Sequence, residues 1–225
     1  MKFSKLFTLI FVFTLIILIF LVNNYNLKSD LDVCKSIHFN ENGLDSYVKR
    51  YKVVKKIIDL NSCNQIIKEA ETYAQKNSWS ISRHKLYPTV DNLITLDWDC
   101  YKIINNFLAK LFKSLENLFN LKRGNLELKE TFIVKYSMDL QKELEYHKDS
   151  SQFSFILGLN NSFSDGGTEF KDGSIKINLD IGDVLIFCGE NVHRGFPISS
   201  GTRYILTGFI NYKGHDFCSK LIKQI

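Results

Sequence analysis

The sequence predicts an α+β chain in which N-terminal helices brace a C-terminal β core of the jelly-roll kind, preceded by one transmembrane signal-anchor helix. Three observations lead there. Apolar residues recur at helical spacing over 63–76 and 99–120, and after Gly124 the period drops to 2. Six or more short strand-like runs then follow within about 85 residues, with turn signals between them and no helical pattern, which points to a sandwich or jelly roll and not to βαβ units. Finally, Leu6 to Val22 is uncharged and almost wholly apolar.

Taken in order, the first segment sets Lys2 and Lys5 before that apolar run of seventeen residues. At helical rise the run spans about 25 Å, near the lower limit for a bilayer. No small-x-small site follows at 23–25, so the reading is a retained anchor over 1–22, with a cleaved signal peptide as the alternative. With the lysines held in the cytosol, this describes a single-pass type II membrane protein whose remainder is lumenal, in the endoplasmic reticulum or secretory pathway. Residues 23–46 are polar and irregular, a short stalk, and 47–225 form one domain with its β core at about 126–212. Five cysteines at 34, 63, 100, 188 and 218 fit an oxidising lumen, although Cys188 lies in the apolar run 184–187 and reads as a buried small hydrophobe.

Val48 to Leu60 leaves strand and helix both open. Ser62-Cys63-Asn64-Gln65 has the form of a capping box, so the first helix is placed at 63–76. Trp79 to Asp97 is a loop rich in Trp79, Arg83, His84, Tyr87 and Asp91, and its part from Trp79 to Asp91 is a candidate wall for a substrate. The second helix carries a stripe of Ile104, Leu108, Leu111, Leu115, Leu118 and Phe119, with Gly124 as its stop. Strand material follows at 126–136, 153–159, 168–170, 174–178, 184–188 and 203–210, and Asp172-Gly173 marks a hairpin. With 45% hydrophobic and 24% charged residues, the 225-residue chain suffices for one domain with a core. A net charge of +5 spread over scattered lysines lacks the concentrated patch that nucleic acid requires, so no nucleic-acid partner is expected.

His147 and Asp149 are two apart, so on an extended strand both project to one face. A third imidazole, His193, comes from a later strand. Two His and one carboxylate on one side of a metal, with other positions open, suit a non-haem Fe(II) that activates oxygen. Arg203 follows ten residues on, and Thr207, four further along the same strand, shares its face.

Phe132-Ile133-Val134-Lys135-Tyr136, His147-Lys148-Asp149-Ser150-Ser151, Gly166-Gly167-Thr168-Glu169-Phe170, Gly182-Asp183, His193-Arg194-Gly195-Phe196-Pro197 and Gly201-Thr202-Arg203-Tyr204-Ile205 occur in that order. Over roughly 130–212 the set resembles the Fe(II)/2-oxoglutarate dioxygenases of the prolyl 4-hydroxylase superfamily, and most of all the catalytic domain of procollagen lysyl hydroxylases. The resemblance implies a double-stranded β-helix in which His147, Asp149 and His193 bind Fe(II), while Arg203 pairs with the distal carboxylate of 2-oxoglutarate. Thr207 and Tyr136 are further candidates for that carboxylate. It also implies O2 as cosubstrate, ascorbate as reductant, and hydroxylation of a peptidyl prolyl or lysyl residue with release of succinate and carbon dioxide. An oxygenase of a small molecule or lipid, and an inactive membrane-tethered binding module, are the alternatives.

Overall fold

The computed structural model describes residues 51–213 other than 120 and 122. Strand β1 (Tyr51–Val54) leads into helix α1 (Leu60–Asn77), and β2 (Asp91–Leu93) into helix α2 (Tyr101–Phe119). The β core follows as β3 (Leu126–Ser137), β4 (Leu144–His147), β5 (Phe153–Gly158), β6 (Phe163–Asp165), β7 (Thr168–Phe170), β8 (Ile175–Ile177), β9 (Val184–Cys188), β10 (His193–Gly195) and β11 (Ile198–Tyr212). A single turn of 3-10 helix at Asp172–Ser174 joins β7 to β8, where the Asp-Gly hairpin signal falls.

Two sheets result. The larger runs β1-β9-β5-β11-β3-β2, with β6 also on β11; the smaller runs β4-β10-β7-β8. Every pairing is antiparallel. Apart from the β7–β8 hairpin, strands that pair are distant in sequence, as a jelly roll requires. Between the sheets lies a core of Phe132, Val134, Tyr136, Ile156, Phe170, Leu185, Phe187, Ile198 and Ile205. The helices pack on the other side of the larger sheet: the Phe107 ring of α2 meets Phe155 of β5 at 5.4 Å, and Lys135 of β3 pairs with Glu71 of α1 at 2.8 Å.

Helix α1 begins three residues before the expected 63, because its N-cap is Asp59 and not Ser62. The Asp59 carboxylate accepts the Ser62 N–H at 2.8 Å and satisfies a donor that the first turn leaves free. Of the stretch 48–60, the described residues 51–60 form strand β1, a turn and the first residue of α1. Three short strands, β2, β4 and β6, had no signal of their own in the sequence, β2 falling inside the expected loop 79–97, and β11 extends beyond the expected 203–210 at both ends.

The expected fold class needs one correction. No helix among the described residues is long and apolar enough to cross a membrane. The two that approach the necessary length are amphipathic, with Lys68, Glu69, Glu71 and Lys76 on α1 and Lys102, Lys110, Lys113 and Glu116 on α2. The stretch 1–22, where the anchor was placed, lies outside the described residues, as does the stalk at 23–46. The architecture supported is a two-sheet core with two helices. The transmembrane signal anchor, the membrane as a partner and the type II lumenal placement are withdrawn with it. Cys63 and Cys100 are buried free thiols, Cys188 is buried as well, and burial pushes the Cys63 thiol up to about 11; Cys34 and Cys218 lie outside the described residues.

Candidate metal centre

Register brings the two histidines together. His147, the last residue of β4, pairs directly with His193, the first of β10, and their rings lie 4.3 Å apart. Asp149 stands just past β4, in a segment held by its own backbone N–H, which donates to the Gly189 carbonyl at 2.9 Å. That approach is close enough that a Cβ on Gly189 would stand 2.0 Å from the Ser151 carbonyl oxygen, so only glycine fits.

Hydrogen bonds orient all three side chains. Nδ1 of His147 lies 2.8 Å from the Glu145 carbonyl, and Nδ1 of His193 lies 2.8 Å from the Asn191 carbonyl. A carbonyl only accepts, so each neutral ring carries its proton on Nδ1 and presents a bare Nε2 lone pair. Both Nε2 atoms face one carboxylate: His147 lies 3.4 Å from Asp149 Oδ1 and His193 lies 3.7 Å from Asp149 Oδ2. Ser154 donates its hydroxyl to Asp149 Oδ2 at 2.5 Å and holds the carboxylate in place. Ligand atoms of the three residues all lie within 4.8 Å of one another.

Electrostatics around the cluster are unbalanced. Burial would raise the Asp149 carboxyl, but the His147 and His193 imidazoles and the Ser154 hydroxyl hold it below its usual value. Burial opposes the charge on His147, yet the Asp149 carboxylate outweighs it and raises that imidazole. His193, packed against the Phe187 ring at 4.6 Å, is lowered by burial. This donor set, two imidazole lone pairs and a carboxylate with polar support behind each, fits a divalent transition metal and would hold Fe(II).

A cavity of about 360 Å³ opens beside the cluster. Alternation supplies its walls: Phe132, Val134 and Tyr136 from β3, and Arg203, Ile205, Thr207 and Phe209 from β11. Arg203 is 3% exposed, and its Nη1 donates to the Gly167 carbonyl at 3.1 Å. Among the described residues it has no carboxylate partner, and its guanidinium lies over the Tyr136 and Phe163 rings. Burial lowers its pKa, but arginine keeps its proton, so a guanidinium charge stands at the cavity wall without a counter-ion. Tyr136 shares the wall, and Gly195 makes room for its hydroxyl: a Cβ there would lie 2.7 Å from it. Thr207 also lines the cavity, but its hydroxyl proton goes to the Phe155 carbonyl at 2.6 Å.

The loop before β2 turns out to close one side. Arg83, His84, Lys85, Leu86, Tyr87 and Thr89 line the cavity, and the Tyr87 ring lies 5.1 Å from that of His147. Trp79 lines no part of it and packs against Tyr204. Arg83 is fixed by ion pairs to Asp91 and Glu130. Ser154, Phe187 and Gly195 were not foreseen. Each acts by supporting another residue, and local sequence carries no mark of that.

No family model matches the chain. It is 32% identical over 168 residues, 66% of its length, to a procollagen lysyl hydroxylase and glycosyltransferase of Acanthamoeba polyphaga mimivirus, of which that match covers 18%. It is 28% identical over 172 residues, 67% of its length, to procollagen-lysine,2-oxoglutarate 5-dioxygenase 1 of Rattus norvegicus, covering 22% of that protein. The chain thus spans about a fifth of the length of these curated relatives. Among solved structures, the collagen prolyl hydroxylase of Paramecium bursaria Chlorella virus-1 aligns with a TM-score of 0.58 at 16% identity, over 75% of this chain and 98% of that one. A Pseudomonas putida prolyl-4-hydroxylase aligns at 0.59 and 14% identity, over 76% and 97%. At such identities the likeness establishes the shared fold.

Proposed function

Because the chain belongs to the prolyl/lysyl-hydroxylase-like superfamily of Fe(II)/2-oxoglutarate dioxygenases, we propose that it hydroxylates a peptidyl residue with release of succinate and carbon dioxide. The observation that carries this reading is the pairing of a three-ligand cluster with a buried, carboxylate-free arginine on the wall of one cavity.

In this reading residues 47–225 are the oxygenase domain, with the β core at about 126–212. His147, Asp149 and His193 hold Fe(II), which when bound supplies the O2 chemistry that couples decarboxylation of 2-oxoglutarate to oxygen insertion into an unactivated C–H bond. The two imidazoles give neutral Nε2 donors and Asp149 gives one charge, so the site carries less negative charge than the metal carries positive and attracts an anionic cosubstrate. Arg203 receives the distal carboxylate as a two-pronged donor, in a low-dielectric setting where the pair orients strongly. Tyr136 donates its hydroxyl to the same group; its burial-raised phenol stays protonated. Thr207 reaches that carboxylate once its proton leaves the Phe155 carbonyl. Apolar walls from Phe132, Val134, Ile156 and Phe187 exclude water from the reacting centre. Ascorbate as the reductant rests on the family resemblance alone.

The test is succinate formation. His147→Ala is expected to abolish 2-oxoglutarate turnover while the protein keeps its far-ultraviolet circular dichroism. Normal succinate output from this variant would refute the assignment.

A further inference from the structure

The charges on the cavity wall are one-sided. Of the ionisable side chains that line it, Arg83, Lys85, Lys148, Arg194 and Arg203 are cations, and Asp149 is the sole carboxylate. Three of the cations are matched by acids that do not line the cavity: Arg83 by Asp91 and Glu130, Lys148 by Glu190 at 3.1 Å, and Arg194 by Glu169 at 2.5 Å. Lys85 has no ion-pair partner among the described residues and is exposed. It sits beside Leu86, which is 87% exposed, on the loop that carries Tyr87 over His147.

We propose that this cavity takes an uncharged target side chain, prolyl in type, from a peptide bearing a carboxylate close to that target, and that Lys85 is the specificity residue that meets the carboxylate. The inference rests on the hydroxylase reading above. With a divalent metal and a dicarboxylate cosubstrate in place, the metal and Arg203 balance Asp149 and the two carboxylates, so the loaded interior is neutral. A lysyl ammonium entering it would leave water, meet apolar walls of Phe132, Ile156 and Ile205, and find no acid to pair with. It would also pass the uncompensated charge of Lys85. A pyrrolidine ring loses no charge solvation on the same path and gains from the apolar contact. The curated relatives are named for lysine; the wall charges here favour a different target.

The experiment is fluorescence anisotropy at low salt, using the full chain held anaerobically with Fe(II) and 2-oxoglutarate. The probes are labelled peptides differing only in a central Pro or Lys and in a flanking Asp or Lys. The prolyl peptide with flanking Asp is expected to bind roughly tenfold tighter than its lysyl counterpart, as desolvating one unpaired charge implies. Lys85→Glu should invert the flank preference by roughly three- to tenfold, whereas Lys113→Glu on α2, which lines no part of the cavity, should leave it intact. Equal or tighter binding of lysyl peptides, an unchanged flank preference in Lys85→Glu, or binding of no peptide at all overturns the inference. A parallel arm records the melting temperature with Fe(II) and with or without 2-oxoglutarate. If the cosubstrate stabilises the protein while the peptide order is reversed, only the substrate inference falls. If the cosubstrate does nothing, the hydroxylase reading itself falls.

Discussion

On one face of β11, Arg203, Ile205, Thr207 and Phe209 line the cavity. The alternate residues Tyr204, Leu206, Gly208 and Ile210 turn toward the helices. On that helix side the packing is closed: Leu206 and Ile210 are 0% exposed, the Tyr204 hydroxyl donates to Glu71 of α1, and a Cβ on Gly208 would lie 2.7 Å from the Phe155 ring. The cavity side keeps a buried cation without a carboxylate and three side chains that could hold a metal, their lone pairs facing one another. One strand therefore divides its residues between holding the domain together and holding a ligand. Substitutions on the two faces should fail in different ways.

The largest effect on stability is expected on the helix face. Phe107→Ala removes a fully buried ring that meets Phe155 and should cost about 3–5 kcal/mol in urea unfolding. Succinate formed per folded molecule should stay near the wild-type value. Arg203→Met on the other face should do the reverse, abolishing 2-oxoglutarate binding in calorimetry while the urea midpoint holds or rises, because an unpaired buried charge has been removed. A midpoint that fell as far as in Phe107→Ala would erase the distinction between the faces. Arg203→Lys keeps the charge but loses the fork, and about a tenfold rise in the 2-oxoglutarate KM is expected with kcat little changed. Gly195→Ala crowds the Tyr136 hydroxyl at 2.7 Å and should raise the same KM a few-fold, read from initial rates.

The smallest effect is with pH, in the metal-free protein. The His147 imidazole is raised above its ordinary 6.5 despite burial, through the Asp149 carboxylate. Stability from that pair is therefore fully present below the unfolded imidazole value and is lost as pH rises through the higher folded value. Metal binding runs the other way, since the proton on His147 competes with the metal, and Fe(II) affinity should fall as pH drops through that folded value. Melting curves across this range, with and without metal, separate the two slopes.

Strands β3, β5, β9 and β11 were legible, β3 from its period-2 pattern and β5 and β9 as short continuous apolar runs, because strands covered on both faces need apolar side chains on each. The clustering of His147, Asp149 and His193 was legible from the His147/Asp149 spacing and the downstream His193. Less could be read where a residue works through a partner from elsewhere. Strands β4 and β6 are short, and pairing with β10 and β11 sustains them more than any local pattern. The role of 83–89 as a cavity wall follows from the anchoring of Arg83 to Asp91 and of Gln141 to the Pro88 carbonyl and Val90 N–H, contacts that no local spacing announces. The apolar run at 6–22 suggested a membrane anchor by length and hydropathy. Hydropathy is a weak guide when the segment's setting is unknown, and no described helix meets the requirement.

The central claim is that two imidazoles and one carboxylate close on a single iron beside Arg203. An anomalous-difference map from crystals grown anaerobically with Fe(II) and 2-oxoglutarate tests it most directly. One iron peak within bonding distance of His147 Nε2, His193 Nε2 and an Asp149 oxygen, with the cosubstrate's distal carboxylate on Arg203, is the predicted result. Iron bound elsewhere, or a cosubstrate that leaves the Arg203 guanidinium untouched, would contradict the account.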